Sequence, residues 1–305
     1  MTRKTPVNVA ASVRARLLTV SKERREDYTL TLMNYSAERF LYRLSRSTLR
    51  DQFILKGAML FAVRIGEQYR PTRDLDLLGI GEASEASVNR AIREIAATTV
   101  DDDGLVFDVD TLEVHAIRED NRYGGLRAVM QARLGQARIH VQIDVGFGDA
   151  ITPAATDLEF PTLLTNMPSP NVLAYPTETI VAEKVEAMVD LGISNSRMKD
   201  FTDVAMAARR LAFGGDALVA ALRATFRRRG TPLPEAEIVG LSERFVQDTS
   251  ALANWKAFVT RNHPSNFQSL AQVVVELRRF LQEPLDHARA GQSFRATWSP
   301  GGPWT

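Results

Sequence analysis

The stretch Arg70-Pro71-Thr72-Arg73-Asp74-Leu75-Asp76-Leu77-Leu78 decides how this chain is read. Acidic and apolar residues alternate from Asp74 to Leu77, the period of a half-buried strand. Leu75 and Leu77 then enter a core, while Asp74 and Asp76 share the opposite face. Two neighbouring carboxylates repel, and a divalent cation relieves the repulsion. Mg2+, with Mn2+ as a substitute, would neutralise triphosphate oxygens there and activate an incoming hydroxyl. An isolated Asp-x-Asp is commonly a solvated strand edge or a turn, so the residues around it matter.

Upstream, Phe53-Ile54-Leu55 is a short apolar strand running into Lys56-Gly57-Ala58 and a helix through about Ile65. A strand that turns into a helix at a glycine presents backbone N–H groups and a helix N-terminus to phosphate, and Lys56 adds a positive charge beside it. Downstream, residues 83 to 99 carry helical periodicity, and strand-like alternation fills 105 to 148. In its last strand His140, Gln142 and Asp144 alternate with Val141, Ile143 and Val145, which makes Asp144 a candidate third carboxylate, either metal ligand or base. Strand, glycine turn, helix, Asp-x-Asp strand and a later strand with Asp together resemble the layout of the nucleotidyltransferase fold of the polymerase-beta superfamily.

Farther out, residues 8 to 47 read as helical. Residues 150 to 176 hold five of the 13 prolines and read as a connecting segment. Beyond it, helices are expected at about 177–191, 199–213, 215–228, 235–247, 250–261 and 266–283, with Thr177 as the first N-cap. In the first of these Lys184 interrupts an apolar stripe and needs an anionic partner. In the second, Lys199 and Asp203 stand four apart and suit a local helix pair. The expected class is α+β: an N-terminal helical segment (1–50) packed on a mixed-sheet nucleotidyltransferase domain (51–175), an all-helical C-terminal domain (176–286) and a poorly ordered tail (287–305).

Composition narrows the function classes. The 305 residues include 38 Lys+Arg against 37 Asp+Glu, a net charge of +1, and no cysteine. Disulfide scaffolds, thiolate zinc sites and cysteine nucleophiles are thereby excluded. Hydrophobic residues at 45% and charged residues at 25% are ordinary globular values. No apolar run approaches the roughly 20 residues that span a bilayer. The basic N-terminus lacks the apolar stretch of a signal peptide, so a cytoplasmic protein without membrane contact is expected, monomeric by default. Arg209-Arg210, Arg227-Arg228-Arg229 and Arg278-Arg279 all lie in the second half, where they offer a basic surface or merely solvated helix faces.

Five segments then appear in order: Lys56-Gly57-Ala58-Met59-Leu60, Arg70 to Asp76, Gln142-Ile143-Asp144-Val145-Gly146-Phe147-Gly148-Asp149, Ala182-Glu183-Lys184, and Asn195-Ser196-Arg197-Met198-Lys199-Asp200-Phe201. Together, over about residues 10 to 285, they resemble the nucleotidyltransferase AbiEii/AbiGii toxin family of bacterial toxin–antitoxin and phage-abortive systems. The resemblance implies a polymerase-beta-like domain, a helical domain, and transfer of a nucleotide from an NTP, for some members to the tRNA 3′ end with arrest of growth. It implies a neighbouring antitoxin gene. Position by position, Asp74 and Asp76 match the metal-binding pair, Lys56 the lysine beside the glycine turn, and Lys184 and Asp200 the reactive residues of the helical half. Lys56, Asp76, Lys184 and Asp200 are thus the catalytic candidates, and Asp74, Asp76 and Asp144 the metal candidates. Gly57, Thr72, Arg73, Arg197 and Lys199 are the candidates for substrate contact. Many relatives carry Gly or Ser where this chain has Ala58, so a hydroxyl contact to phosphate is not available there. Two other readings stand beside this one: nucleotidylation of a small molecule or protein hydroxyl, and a non-catalytic partner-binding relic.

Overall fold

The computed structural model describes residues 8–66, 72–117, 124–235, 237–262 and 269–305. Arg70 and Pro71 of the central motif and the first residues of the helix expected at 266–283 lie outside them. Two units divide the chain: the first holds the described residues of Met1–Val63, Pro71–Gly148 and Thr156–Ala174, the second those of Arg64–Arg70, Asp149–Ala155 and Tyr175–Thr305. Helices and a mixed sheet make the first, helices predominate in the second, and the class is α+β with a nucleotidyltransferase domain.

The first unit opens with two helices, α1 (Val9–Arg24) and α2 (Tyr28–Arg46), rather than one continuous run. Asn8 and Asp27 cap them by accepting from Ala11 and Leu30 N–H, and Arg25 between them takes a left-handed φ of 53°. Then follow β1 (Phe53–Leu55), α3 (Gly57–Ile65), β2 (Asp74–Gly79), α4 (Glu85–Ala96), β3 (Leu105–Ala116), β4 (Leu126–Leu134) and β5 (Ala137–Phe147). The strands expected at 105–107 and 112–117 are one strand, irregular between Asp108 and Glu113.

The proline-rich segment is more than a connection. It contains β6 (Thr156–Glu159) and β7 (Asn171–Ala174), giving a seven-stranded sheet in the order β3-β4-β5-β2-β1-β7-β6. The β1–β7 and β2–β5 pairs are parallel and the others antiparallel. Four-residue strands between prolines are too short to show a period, and the neighbours that complete them are distant in sequence. Residues 160–170, between those strands, are tied to α2: Leu163 N donates to the Glu38 carboxylate at 2.6 Å and Arg39 donates to Pro168 O at 2.9 Å.

The second unit contains α5 (Thr177–Leu191), α6 (Met198–Arg210), β8 (Phe213–Gly214), α7 (Gly215–Arg229), α8 (Glu243–Gln247), α9 (Thr249–Asn262), α10 (Leu270–Ala290) and β9 (Thr297–Trp298). Pro176, not Thr177, occupies the N-cap of α5. The helix expected at 235–247 shrinks to a short 3-10 turn and α8.

The expectation of a poorly ordered tail from His287 is corrected. Helix α10 runs through Pro284 to Ala290, and beyond it Trp298 and Trp304 are buried against Phe280. Proline has no N–H, so Pro284 leaves the carbonyl one turn back, that of Phe280, without its helical donor. Trp304 Nε1 donates to that carbonyl at 2.9 Å, and Trp298 Nε1 donates to Ala208 O at 2.7 Å. The tail is therefore part of the helical unit's core. No helix among the described residues is long and apolar enough to cross a membrane.

Candidate active site

On β2 the sequence alternation becomes geometry. Leu75 and Leu77 are buried, while Asp74 and Asp76 sit half-buried on the other face. The neighbouring parallel strand continues that face in register, with Asp74 beside Gln142 and Asp76 beside Asp144. The turn before α3 closes on the same point. Lys56 N donates to Asp76 O at 3.0 Å, and Gly57 takes a φ of +72°. A Cβ added at Gly57 would lie 1.9 Å from Asp76 Oδ2, so the glycine is required both by its left-handed backbone and by the carboxylate against it. The N-terminus of α3 and Asp76 are thus brought together, as a glycine-turn phosphate site requires. Lys56 is half-buried beside them, Thr72 Oγ1 donates to Asp74 O at 3.4 Å, and Arg73 is exposed.

Asp144 reaches this row by backbone register, but its carboxylate is engaged by Arg127 of β4, which donates from Nε to Oδ1 at 2.8 Å and from Nη2 to Oδ2 at 2.7 Å. Among the described residues no group of three or more His, Cys, Asp or Glu is arranged to hold a metal ion. Two carboxylates with room for substrate oxygens remain a suitable donor set for Mg2+, which commonly takes one or two carboxylates and completes its shell with phosphate and water. Asp74 and Asp76 fit that requirement.

The second unit holds a separate charged centre. Lys184 Nζ on α5 lies 2.8 Å from Asp200 Oδ1 and 2.7 Å from Asp203 Oδ2, both on α6 and both 0% exposed. Arg197 Nε adds a contact to Asp200 Oδ2 at 2.7 Å. Burial opposes the Asp200 charge, but Lys184 and then Arg197 outweigh it and hold the carboxyl down at about 2. Burial pushes the Asp203 carboxyl well up, so of the two it is the readier to take a proton. Lys184 thus has the anionic partner its apolar stripe demanded. Asp203 is the residue that sequence reasoning misplaced: Lys199 is exposed, and Asp203 turns inward to Lys184 instead. The three-residue spacing of Asp200 and Asp203, which puts both on one helix face, was the available signal.

A third cluster surrounds Arg229 at the end of α7. It donates to Glu186 at 2.7 Å and lies 3.6 Å from both Asp149 and Glu183. Burial works against its charge, but Glu183, the hydrogen bond to Glu186 and then Asp149 prevail and keep it protonated. Other arginines of the helical half are also occupied: Arg209 pairs with Glu276, Arg223 donates to the carbonyls of His287, Ala288 and Gln292, and Arg278 holds Glu237 and Leu241 O. Arg227 and Arg279 are exposed. The basic surface offered by the sequence is accordingly smaller than the arginine pairs suggested.

Residues 39–273 match the sequence family described as nucleotidyl transferase AbiEii toxin, type IV TA system. No curated protein matches the chain. Two solved structures from Helicobacter pylori are similar in fold: a candidate nucleotidyltransferase, 14% identical with a TM-score of 0.47 over 85% of this chain and 96% of that one, and JHP933, 13% identical with a TM-score of 0.46 over 85% and 91%.

Proposed function

The chain belongs to the AbiEii nucleotidyltransferase toxin family of type IV toxin–antitoxin systems, and from that premise we propose that it transfers a nucleoside monophosphate from an NTP to the 3′ end of tRNA in the cytoplasm. The observation that carries this reading is the close approach of the Gly57 turn to Asp76, which brings a helix N-terminus to a two-carboxylate strand face. Mg2+ or Mn2+ bound there supplies charge neutralisation for the triphosphate.

Asp74 and Asp76 hold the nucleotide's phosphates in place through that cation, and the backbone N–H groups after Gly57 accept the charge of the phosphate tail. Lys56 adds a cation beside the turn. The acceptor 3′-oxygen forms a bond to the α-phosphorus, the bond from that phosphorus to the α–β bridging oxygen breaks, and pyrophosphate leaves. The hydroxyl proton passes to a carboxylate oxygen of the Asp74–Asp76 pair. In the helical unit, Lys184 is a cation fixed by two buried carboxylates, a group suited to an anionic substrate. Thr72, Arg73, Arg197 and Lys199 are assigned to substrate contact by their positions in the family motifs. As a toxin of a type IV system the protein works opposite an antitoxin.

The test is transfer of label from each NTP in turn to total tRNA with Mg2+, using the wild type and Asp76→Asn. Label on tRNA from the wild type alone is the expected result. Labelling of another acceptor in whole-cell extract, with tRNA untouched, would move the reading to a small-molecule or protein hydroxyl. Equal labelling by the variant would remove Asp76 from the chemistry.

A further inference from the structure

Asp144 has both carboxylate oxygens committed to one partner. Arg127 approaches side-on through Nε and Nη2, at 2.8 Å and 2.7 Å, and the two residues face each other in register across β4 and β5. The Gln142 amide, its oxygen turned to the guanidinium, accepts from the same two nitrogens at 3.2 Å each. Asp144 is 16% exposed and Arg127 32% exposed, so the pair is partly withdrawn from water. A bidentate charge-assisted pair fixes both partners in one plane. To ligate a cation, Asp144 would have to give up that pair.

We propose that Asp144 is a positioning residue rather than a metal ligand, and that the arginine it fixes, Arg127, binds the triphosphate of the incoming nucleotide. The proposal rests on the reading of Asp74 and Asp76 as the nucleotide-metal site. Register supplies the distance: Asp76, Asp144 and Arg127 lie in one row across three adjacent strands, all on the polar face. Strands spaced about 4.8 Å apart put the Arg127 Cα about 10 Å from that of Asp76. An extended arginine side chain covers most of that separation, so its guanidinium can reach phosphates gathered at Asp76. The guanidinium carries five N–H donors in a rigid fork, and Asp144 takes two. That fork matches phosphate oxygens in a way an ammonium does not. A triphosphate bound by two carboxylates and one cation retains negative charge, and Arg127 meets it from the side away from Lys56. Asp144 in turn keeps the arginine from collapsing onto Asp76.

Binding without turnover separates the roles. Mn2+ alone, followed by electron paramagnetic resonance, and an α,β-methylene NTP with Mn2+, followed by calorimetry, are applied to the full chain and to Asp144→Asn, Arg127→Gln, Arg127→Lys and Asp76→Asn. Asp144→Asn is expected to bind Mn2+ as the wild type does, while the analogue binds about tenfold more weakly to both Asp144→Asn and Arg127→Gln. Arg127→Lys, which keeps the charge and the fold but loses the fork, falls between. Loss of Mn2+ by Asp144→Asn to the extent seen in Asp76→Asn would make Asp144 a ligand and overturn the proposal. Wild-type analogue affinity in Arg127→Gln would overturn it as well. Unchanged Mn2+ binding in Asp76→Asn would instead overturn the underlying metal-site reading, a distinguishable failure.

Discussion

Gly57 meets two demands at once, a left-handed backbone and a carboxylate where its side chain would be. Gly57→Ala is therefore expected to destabilise the first unit by more than the about 1–2 kcal/mol of left-handed strain alone, because Asp76 must also move. Thermal unfolding and transfer activity should fall together. Lys184 offers the opposite case, a cation whose removal strands two carboxylates. Lys184→Ala should cost about 3–5 kcal/mol in urea unfolding, the range for breaking a buried pair. Asp203→Asn should cost less than Asp200→Asn, since burial already favours a neutral group at 203. The pH dependence follows from Asp200, whose folded value of about 2 lies below its ordinary 3.8. Its stabilisation is complete above the ordinary value and is lost as pH falls from about 4 toward 2; a plot of stability against pH should drop in that window for the wild type and flatten for Asp200→Asn. Of these residues, Asp74, Asp76 and the demand of Lys184 for a partner were legible from alternation and stripe. Asp203 was not, because a local four-residue pairing with Lys199 looked sufficient. The Arg127–Asp144 pair also stayed hidden, since only strand register joins residues 17 apart.

At the scale of elements, sequence and structure agree where periods are long and part where distant contacts decide. The strand at Leu126–Leu134 and the helices at 177–191 and 215–229 follow from alternation and amphipathic spacing. Strands β6 and β7 do not, since each is only four residues long and gains its identity from β1. Pro284 reads as a helix end, yet α10 continues because a tryptophan 20 positions later supplies the missing donor. Trp304→Phe keeps most of the ring but leaves the Phe280 carbonyl unsatisfied, and should cost about 1–3 kcal/mol. Pro284→Ala restores a helical N–H to that carbonyl. In a double-mutant cycle measured by chemical unfolding, the cost of Trp304→Phe should shrink in the Pro284→Ala background; an unchanged cost would mean the indole hydrogen bond does not support the helix.

For the whole molecule, the α+β class and the nucleotidyltransferase assignment were within reach of the sequence, since five ordered motifs and a change from mixed to helical texture are global properties. The use of the arginines was not, because charge runs do not reveal which members pair internally. Arg223 and Arg229 are structural by their partners, so alanine there should lower stability, whereas Arg227→Ala and Arg279→Ala should leave stability within about 0.5 kcal/mol and weaken an RNA acceptor in a salt-dependent manner. The central claim, nucleotidyl transfer at the Asp74–Asp76 face, is tested most directly by following one NTP labelled at either its α- or its γ-phosphorus. The account predicts that α-label moves onto the acceptor while γ-label is released as pyrophosphate, and that Asp76→Asn stops both at unchanged fold. Transfer of γ-label to the acceptor, or undiminished α-label transfer by the variant, would contradict it.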